Sequence, residues 1–198
     1  MAKLHFKYGT MNSGKSMDLI RTIYNYEEQG YSVLLIKPMI DTKGEDYVVS
    51  RANMKRKVDV LVSDNDSVIK SILPKIDDKL ACILVDEAQF LEPKQIDELF
   101  LITKNLNIPV ICYGLRNNFK MEGFKGSIRL LEIAEELEEI PTLCKCSDIA
   151  RYVGRKIDGK YVLDGEEVVI DGSANNVEYV PMCGKCYLEK VKKLDLKF

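Results

Sequence analysis

Leu4, Phe6 and Tyr8 alternate with Lys3, His5 and Lys7, the period of two that marks a short strand. Residues 16–29 carry Met17, Ile20, Ile23 and Tyr24 at helical spacing, and Gly30 is the natural stop. Ser32 to Ile36 is a continuous apolar run, as in a strand covered on both faces. Residues 38–57 are polar and mixed and predict a long, mobile connection. Val58 to Val62 reads as the next strand, 66–73 as a short helix and Leu80 to Val85 as a buried strand. Pro93 sits early in the helix that follows, where its missing N–H costs little. Val110 to Tyr113 predicts another strand. Residues 126–138 predict an amphipathic helix through Ile128, Leu131, Ile133, Ala134 and Leu137.

Strands and helices thus alternate to about residue 140, the mark of a mostly parallel α/β sheet with helices on both faces. After Pro141 the character changes. Asp158-Gly159 lies between Arg155-Lys156-Ile157 and Lys160-Tyr161-Val162, a tight-hairpin signal. The expected division is an α/β domain over 1–140 and a small strand-rich unit over 141–198. There is no internal repeat and no low-complexity segment.

Composition narrows the function. Of 198 residues, 46% are hydrophobic, enough for a sizeable core in one full domain with an appendage. Net charge is -2 and the pI about 5.6, so the basic footprint of a nucleic-acid binder is missing. The N-terminus leaves no room for a signal peptide, and no apolar run approaches the ~20 residues that span a bilayer. A soluble cytoplasmic protein with no membrane partner is expected. Cys82 and Cys112 sit inside apolar runs and read as small buried hydrophobes. Cys144/Cys146 and Cys183/Cys186 form two close pairs, a pattern that in a reducing compartment points to metal.

The strongest chemical signal is Gly9-Thr10-Met11-Asn12-Ser13-Gly14-Lys15-Ser16. It follows a strand and opens a helix, the context a phosphate-binding P-loop requires. Its glycines let backbone N–H groups wrap a polyphosphate, and the helix N-terminus adds the positive end of its dipole. Lys15 is placed to reach the β- and γ-phosphates, and the Ser16 hydroxyl to coordinate Mg²⁺. A nucleoside triphosphate is therefore the expected ligand of a P-loop NTPase-type domain.

Ile83-Leu84-Val85-Asp86-Glu87 is an apolar strand ending in two carboxylates. In P-loop proteins an acid at a neighbouring strand end helps hold Mg²⁺, and Asp86 fits that part. Glu87 is next in line and points the other way if the strand continues that far. It is suited to accept a proton from an attacking hydroxyl or water; spacing leaves the nucleophile open.

The P-loop, Asp86-Glu87-Ala88-Gln89-Phe90, Tyr113-Gly114-Leu115-Arg116 and the terminal cysteine pairs, in this order, resemble the type II thymidine kinases, the cellular and bacterial kind. The resemblance runs over nearly the whole chain. It implies transfer of the γ-phosphate of ATP to the 5′-hydroxyl of thymidine, giving ADP and thymidine monophosphate. It assigns ATP contacts to Gly9 through Ser16 and to Asp86, Glu87, Ala88 and Gln89. Glu87 becomes the catalytic base, and Ser16 and Asp86 the Mg²⁺ holders. Thymine would lie against Met11, Phe90, Leu115, Phe119 and Phe124. A C-terminal lasso from Val168 through Gly172 to Tyr179 would close over the nucleoside. Cys144, Cys146, Cys183 and Cys186 would hold a structural Zn²⁺ that anchors this zinc-ribbon lasso unit, since four thiolates leave no open position. The family is usually homotetrameric and inhibited by the triphosphate end product, dTTP.

Three departures stand out. Asp41-Thr42-Lys43 replaces the family's Asp-x-Arg, and lysine lacks the bidentate fork of arginine; Arg51 is the alternative phosphate clamp. The lasso is longer by about three residues. Ser147 follows Cys146 where bacterial relatives often carry glycine. Three rival readings share some of these features. One is a zinc-ribbon, nucleic-acid-dependent ATPase, which the acidic pI opposes. Another is an ATP sensor without turnover, which Glu87 beside Asp86 opposes. The third is a kinase for deoxyuridine or deoxycytidine.

Overall fold

The computed structural model describes residues 1–39, 46–165 and 176–194. β1 (Leu4–Tyr8) leads into α1 (Lys15–Glu28) and β2 (Ser32–Pro38). β3 (Tyr47–Val49) and β4 (Lys55–Lys57) precede β5 (Val60–Val62) and α2 (Val68–Ile72). β6 (Leu80–Val85), α3 (Pro93–Asn105), β7 (Val110–Gly114), α4 (Lys125–Ile133) and β8 (Glu136–Glu139) complete the larger part. Six of these strands pair in parallel in the order β5-β2-β6-β7-β1-β8.

Alternation sorts the strand side chains onto two faces. Leu4, Phe6, Leu34, Ile36, Ile83 and Val85 point to one face, where Val68 of α2, Leu99 of α3 and Leu130 of α4 cover them. Val33, Leu35, Cys82 and Leu84 point to the other, covered by Leu19 and Ile23 of α1 and by Val48 of β3. Helices therefore lie on both faces, as the alternating pattern predicts. Cys82 and Cys112 are fully buried in these two layers, and burial pushes both thiols up, so they act as inert hydrophobes.

Three expectations need correction. Met17 and Tyr24 do not face the core: they are exposed, and the helix is anchored by Leu19 and Ile23. A fully buried leucine contributes about 1.5–3 kcal/mol, so Leu19 decides the rotation of α1. Second, part of the predicted 38–57 connection is a hairpin of β3 and β4. Val48 is buried in the core, and Arg56 pairs with Glu27 of α1 at 3.0 Å. Its strands are three residues long and pair Tyr-Val-Val with Lys-Arg-Lys, so neither is long enough to show an apolar-polar alternation. Third, the helix predicted over 126–138 ends at Ile133, and Glu136–Glu139 is β8. The backbone N–H of Glu135 donates to Leu4 O at 2.9 Å, and β8 pairs with the open side of β1. Pairing with an otherwise unsatisfied strand outweighs the helix propensity of a Glu-rich run. Leu137, assigned to the helix face, is half exposed there, and so is Ile128.

Beyond Thr142 the sheets are small and antiparallel: β9 (Thr142–Leu143) with β10 (Ile149–Ala150), and β11 (Tyr152–Ile157) between β12 (Lys160–Val162) and β13 (Val177–Met182), followed by α5 (Gly184–Lys190). Asp158 and Gly159 both adopt positive φ, 48° and 78°, and join Ile157 to its partner Lys160. That is the two-residue turn the sequence announces. Cys144, Val180, Met182, Cys183, Cys186 and Tyr187 form the core of this part, with Met121 from the loop after β7 packed against it. Among the described residues no helix is long and apolar enough to cross a membrane.

Candidate active site

The P-loop takes the backbone path its glycines allow. Asn12 and Gly14 have φ of 70° and 90°. A Cβ on Gly9 would meet Ile140 O and Ser13 Oγ at 2.5 Å, so only glycine fits there. No side chain caps α1, which leaves its first N–H groups directed at whatever sits in the loop. Thr10 and Lys15 are buried, Met11, Ser13 and Ser16 half-buried, and Asn12 and Gly14 exposed. The Lys15 ammonium donates to Thr10 O at 2.9 Å and Gly9 O at 3.3 Å. Burial lowers its pKa, and the Glu87 and Asp86 carboxylates oppose that shift. The three charged groups therefore share one electrostatic site, although β7 lies between β1 and β6.

Asp86 is buried at the end of β6, its N–H donating to Ile36 O at 3.0 Å. The strand does not continue to Glu87. Glu87 adopts left-handed backbone angles, φ 50° and ψ 39°, and starts a 3-10 turn over Ala88–Phe90. A non-glycine residue in that region costs of order 1–3 kcal/mol, and such strain concentrates at functional sites. The Glu87 carboxylate accepts from Gln89 Nε2 at 2.5 Å, and Gln89 Oε1 accepts from Leu115 N at 3.1 Å. Gln89 is itself buried, against Gly114, where a Cβ would stand 2.8 Å from its Oε1. Gln89 thus ties the end of β6 to the end of β7. Motif matching assigns it to ATP and misses this bridge. The signal was present: a glutamine two residues after an acid, and a glycine at a strand end. Ala88 is fully buried beneath Gly126 of α4.

The aromatic set divides in two. Phe90 and Phe124 meet edge to face, centroids 5.6 Å apart. Phe119 is buried under the Arg155 guanidinium, 3.7 Å above its ring. Tyr179 of β13 is the register partner of Arg155 on β11. Leu115 and Met11 are half-buried. Beside the P-loop a shallow cleft is lined by Gly9, Thr10, Leu115, Arg116, Asn117, Glu139 and Arg151 among others. Arg151 pairs with Glu139 at 3.1 Å. In the sequence Arg155 reads only as one flank of the Asp158-Gly159 hairpin and Arg151 belongs to no motif; their places beside Phe119 and Glu139 come from the tertiary structure. Arg51 sits exposed in the turn joining β3 and β4; Lys43 and Gly172 lie outside the described residues.

A polar network backs α1. The Asp18 carboxylate accepts from Tyr113 Oη at 2.9 Å and Lys7 Nζ at 3.2 Å, and pairs with Arg21. Burial opposes its charge, but the hydrogen bonds from Tyr113, Arg21 and Lys7 prevail and hold the carboxyl below its usual range. A depressed carboxyl contributes stability that is full above its unfolded pKa and is lost as pH falls through the folded value. Asp18→Asn is expected to cost about 1.5–3 kcal/mol at pH 7. It should also flatten the fall in urea midpoint below about pH 4. Parallel wild-type and variant midpoints through that window would remove Asp18 from the acid response.

The four cysteine sulfurs lie within 4.8 Å of one another. A tetrahedral Zn–S site with ~2.3 Å bonds needs sulfurs about 3.8 Å apart, so the cluster has the dimensions and the soft donors for zinc. Cys146 and Cys183 Sγ, 3.5 Å apart, are too distant for a disulfide, which needs about 2.05 Å. Cys183 also caps α5, accepting from Cys186 N. Ser147 has φ of 72°, the left-handed geometry that glycine adopts without cost.

Residues 2–187 match the family model described as thymidine kinase. The thymidine kinase of Streptococcus gordonii is 42% identical over 191 residues, 96% of this chain and 97% of that protein. That of Lactococcus lactis subsp. lactis is 43% identical over 191 residues, 96% and 98% of the two chains. That of Streptococcus pyogenes serotype M28 is 39% identical over 189 residues, 94% and 97%. With a P-loop at the end of β1, two acids at the end of β6 and a cysteine cluster where the motif order places it, the chain belongs to the thymidine kinase family.

Proposed function

We propose that this protein transfers the γ-phosphate of ATP to the 5′-hydroxyl of thymidine. The observation that carries the reading is the P-loop that closes on buried Lys15 through the carbonyls of Gly9 and Thr10, in a chain whose β6 ends in buried Asp86 and left-handed Glu87 and which matches the thymidine kinase family over residues 2–187. Gly9 through Ser16 hold the phosphates of ATP, with the Asp86–Gln89 segment beside them. Lys15 stabilises charge on the transferring group, and Glu87 takes the proton of the 5′-hydroxyl. Ser16 and Asp86 hold Mg²⁺, which when bound neutralises charge on the phosphate oxygens. Phosphoryl transfer depends mainly on positioning and charge stabilisation, so few groups suffice. Phe90 and Phe124, with Met11, Leu115 and Phe119, form the apolar walls for thymine, and Tyr179 and the segment before it close over it.

Cys144, Cys146, Cys183 and Cys186 hold structural Zn²⁺ in a unit spanning 141–198, next to a kinase domain of 1–140. The family resemblance supports dTTP as feedback inhibitor, a cytoplasmic setting and a homotetramer. Exposed Met17, Tyr24 and Tyr31 supply apolar surface suited to such contacts. The deciding experiment is a phosphoryl-transfer assay with ATP across thymidine, deoxyuridine, deoxycytidine and deoxyguanosine, with zinc analysis of the same sample. Thymidine is expected to give the highest kcat/KM. Preference for another nucleoside, or hydrolysis stimulated by single-stranded DNA alone, would overturn the assignment.

A further inference from the structure

The loop between β7 and α4 is closed on itself. Asn117 bridges Gly123, and Asn118 N donates to Glu122 O at 2.8 Å. The buried Asn118 side chain accepts from the N–H groups of Lys120 and Glu122, at 2.9 and 3.1 Å. So tied, residues 117–123 move as one piece, and the piece carries Phe119. What fixes its position comes from the cysteine-bearing unit. The buried Tyr187 hydroxyl donates to Phe119 O across 68 residues of sequence. Met121 packs into the same core as Cys144, Cys183 and Cys186. Tyr187 follows Cys186 directly, on a helix whose first turn is capped by Cys183.

We infer that Tyr187 is a positioning residue: through its hydroxyl the four-cysteine unit sets the place of the 117–123 loop and so of the Phe119 ring. The consequence for nucleoside affinity rests on the reading that Phe119 lines the acceptor pocket. The hydrogen-bond geometry makes the effect specific. Phe119 O and Lys120 N–H belong to one peptide plane, which cannot rotate while Tyr187 holds one side and Asn118 the other. The P-loop hangs on β1 and α1, and although Asn117 shares a cleft with Gly9 and Thr10, Tyr187 bonds Phe119 O and not the P-loop, so ATP binding should register its loss far less than thymidine binding.

Tyr187→Phe removes the hydroxyl and keeps the ring that packs against Tyr152. Three readouts test it in the full chain: hydrogen exchange at the Lys120 amide, KM for thymidine and for ATP separately, and bound zinc. The inference expects zinc retained, faster exchange at Lys120, thymidine KM raised about five- to tenfold and ATP KM within about twofold. In the variant, chelation should add less to Lys120 exchange than it does in wild type, because the link is already cut. Unchanged exchange and unchanged thymidine KM would overturn the inference. So would a loss of zinc with both KM values rising together, which marks a general packing role. If wild type fails to phosphorylate thymidine yet Lys120 exchange rises in the variant, the positioning stands and the substrate assignment falls.

Discussion

Glu87→Gln is expected to lower kcat about 10²–10⁴-fold, the usual contribution of a positioned general base, with little change in fold or in either substrate's binding. The substitution is nearly isosteric. A glutamine carbonyl still accepts from Gln89 Nε2, so the Gln89 bridge to Leu115 and the left-handed turn at residue 87 have their partners. What disappears is the basic oxygen. A second effect must be separated from it. The Glu87 carboxylate also supports the charge of buried Lys15, whose pKa burial already lowers. If the rate fell only because Lys15 had lost its proton, activity would return as pH is lowered. Loss of the base gives the opposite behaviour, a rate that stays low. A variant within threefold of wild type at all pH values would move the base elsewhere.

Zinc removal is expected to be the larger structural perturbation. Four-thiolate zinc contributes apparent binding free energies of about 10–16 kcal/mol in small zinc modules. Here three of the eight buried residues in the core of the C-terminal part are the cysteines Cys144, Cys183 and Cys186, beside Ala150, Val180, Met182, Tyr187 and Val191. A core that small does not offset the conformational entropy of its own strands. Chelation should therefore open residues 141–194 to limited proteolysis while the sheet from Leu4 to Glu139 stays protected. Thymidine affinity should fall at least about tenfold, since Phe119 is held by Tyr187 and Arg155 from that part. ATP affinity should change far less. One zinc per chain in the purified protein, and cleavage confined to this region after stripping, are the expected results. Full thymidine affinity in metal-free protein would overturn the coupling.

The three sequence misreadings share a cause. On α1, Met17, Ile20, Ile23 and Tyr24 have valid helical spacing, but so do Leu19 and Ile23; the sheet surface beneath chooses the second. Glu136–Glu139 continues a helical pattern, and only the unpaired side of β1 draws it into a strand. The β3–β4 hairpin has no apolar alternation to announce it, yet Val48 reaches the core. In each case the local signal was ambiguous and a partner distant in sequence decided.

The sequence by itself determined what depends on short-range chemistry. The P-loop, the acids after β6, the Asp158-Gly159 turn, the buried strands and the cysteine pairs are all written within a few residues of one another. Backbone conformation, phosphate binding and thiol chemistry are fixed at that range. Tertiary structure alone decided which helix faces are buried, that Glu87 leaves its strand in a left-handed turn, that Gln89 bridges to Leu115, and that Phe119 lies between Arg155 and Tyr187. Those features join groups tens of residues apart, and no local pattern records a contact that exists only once the chain has closed.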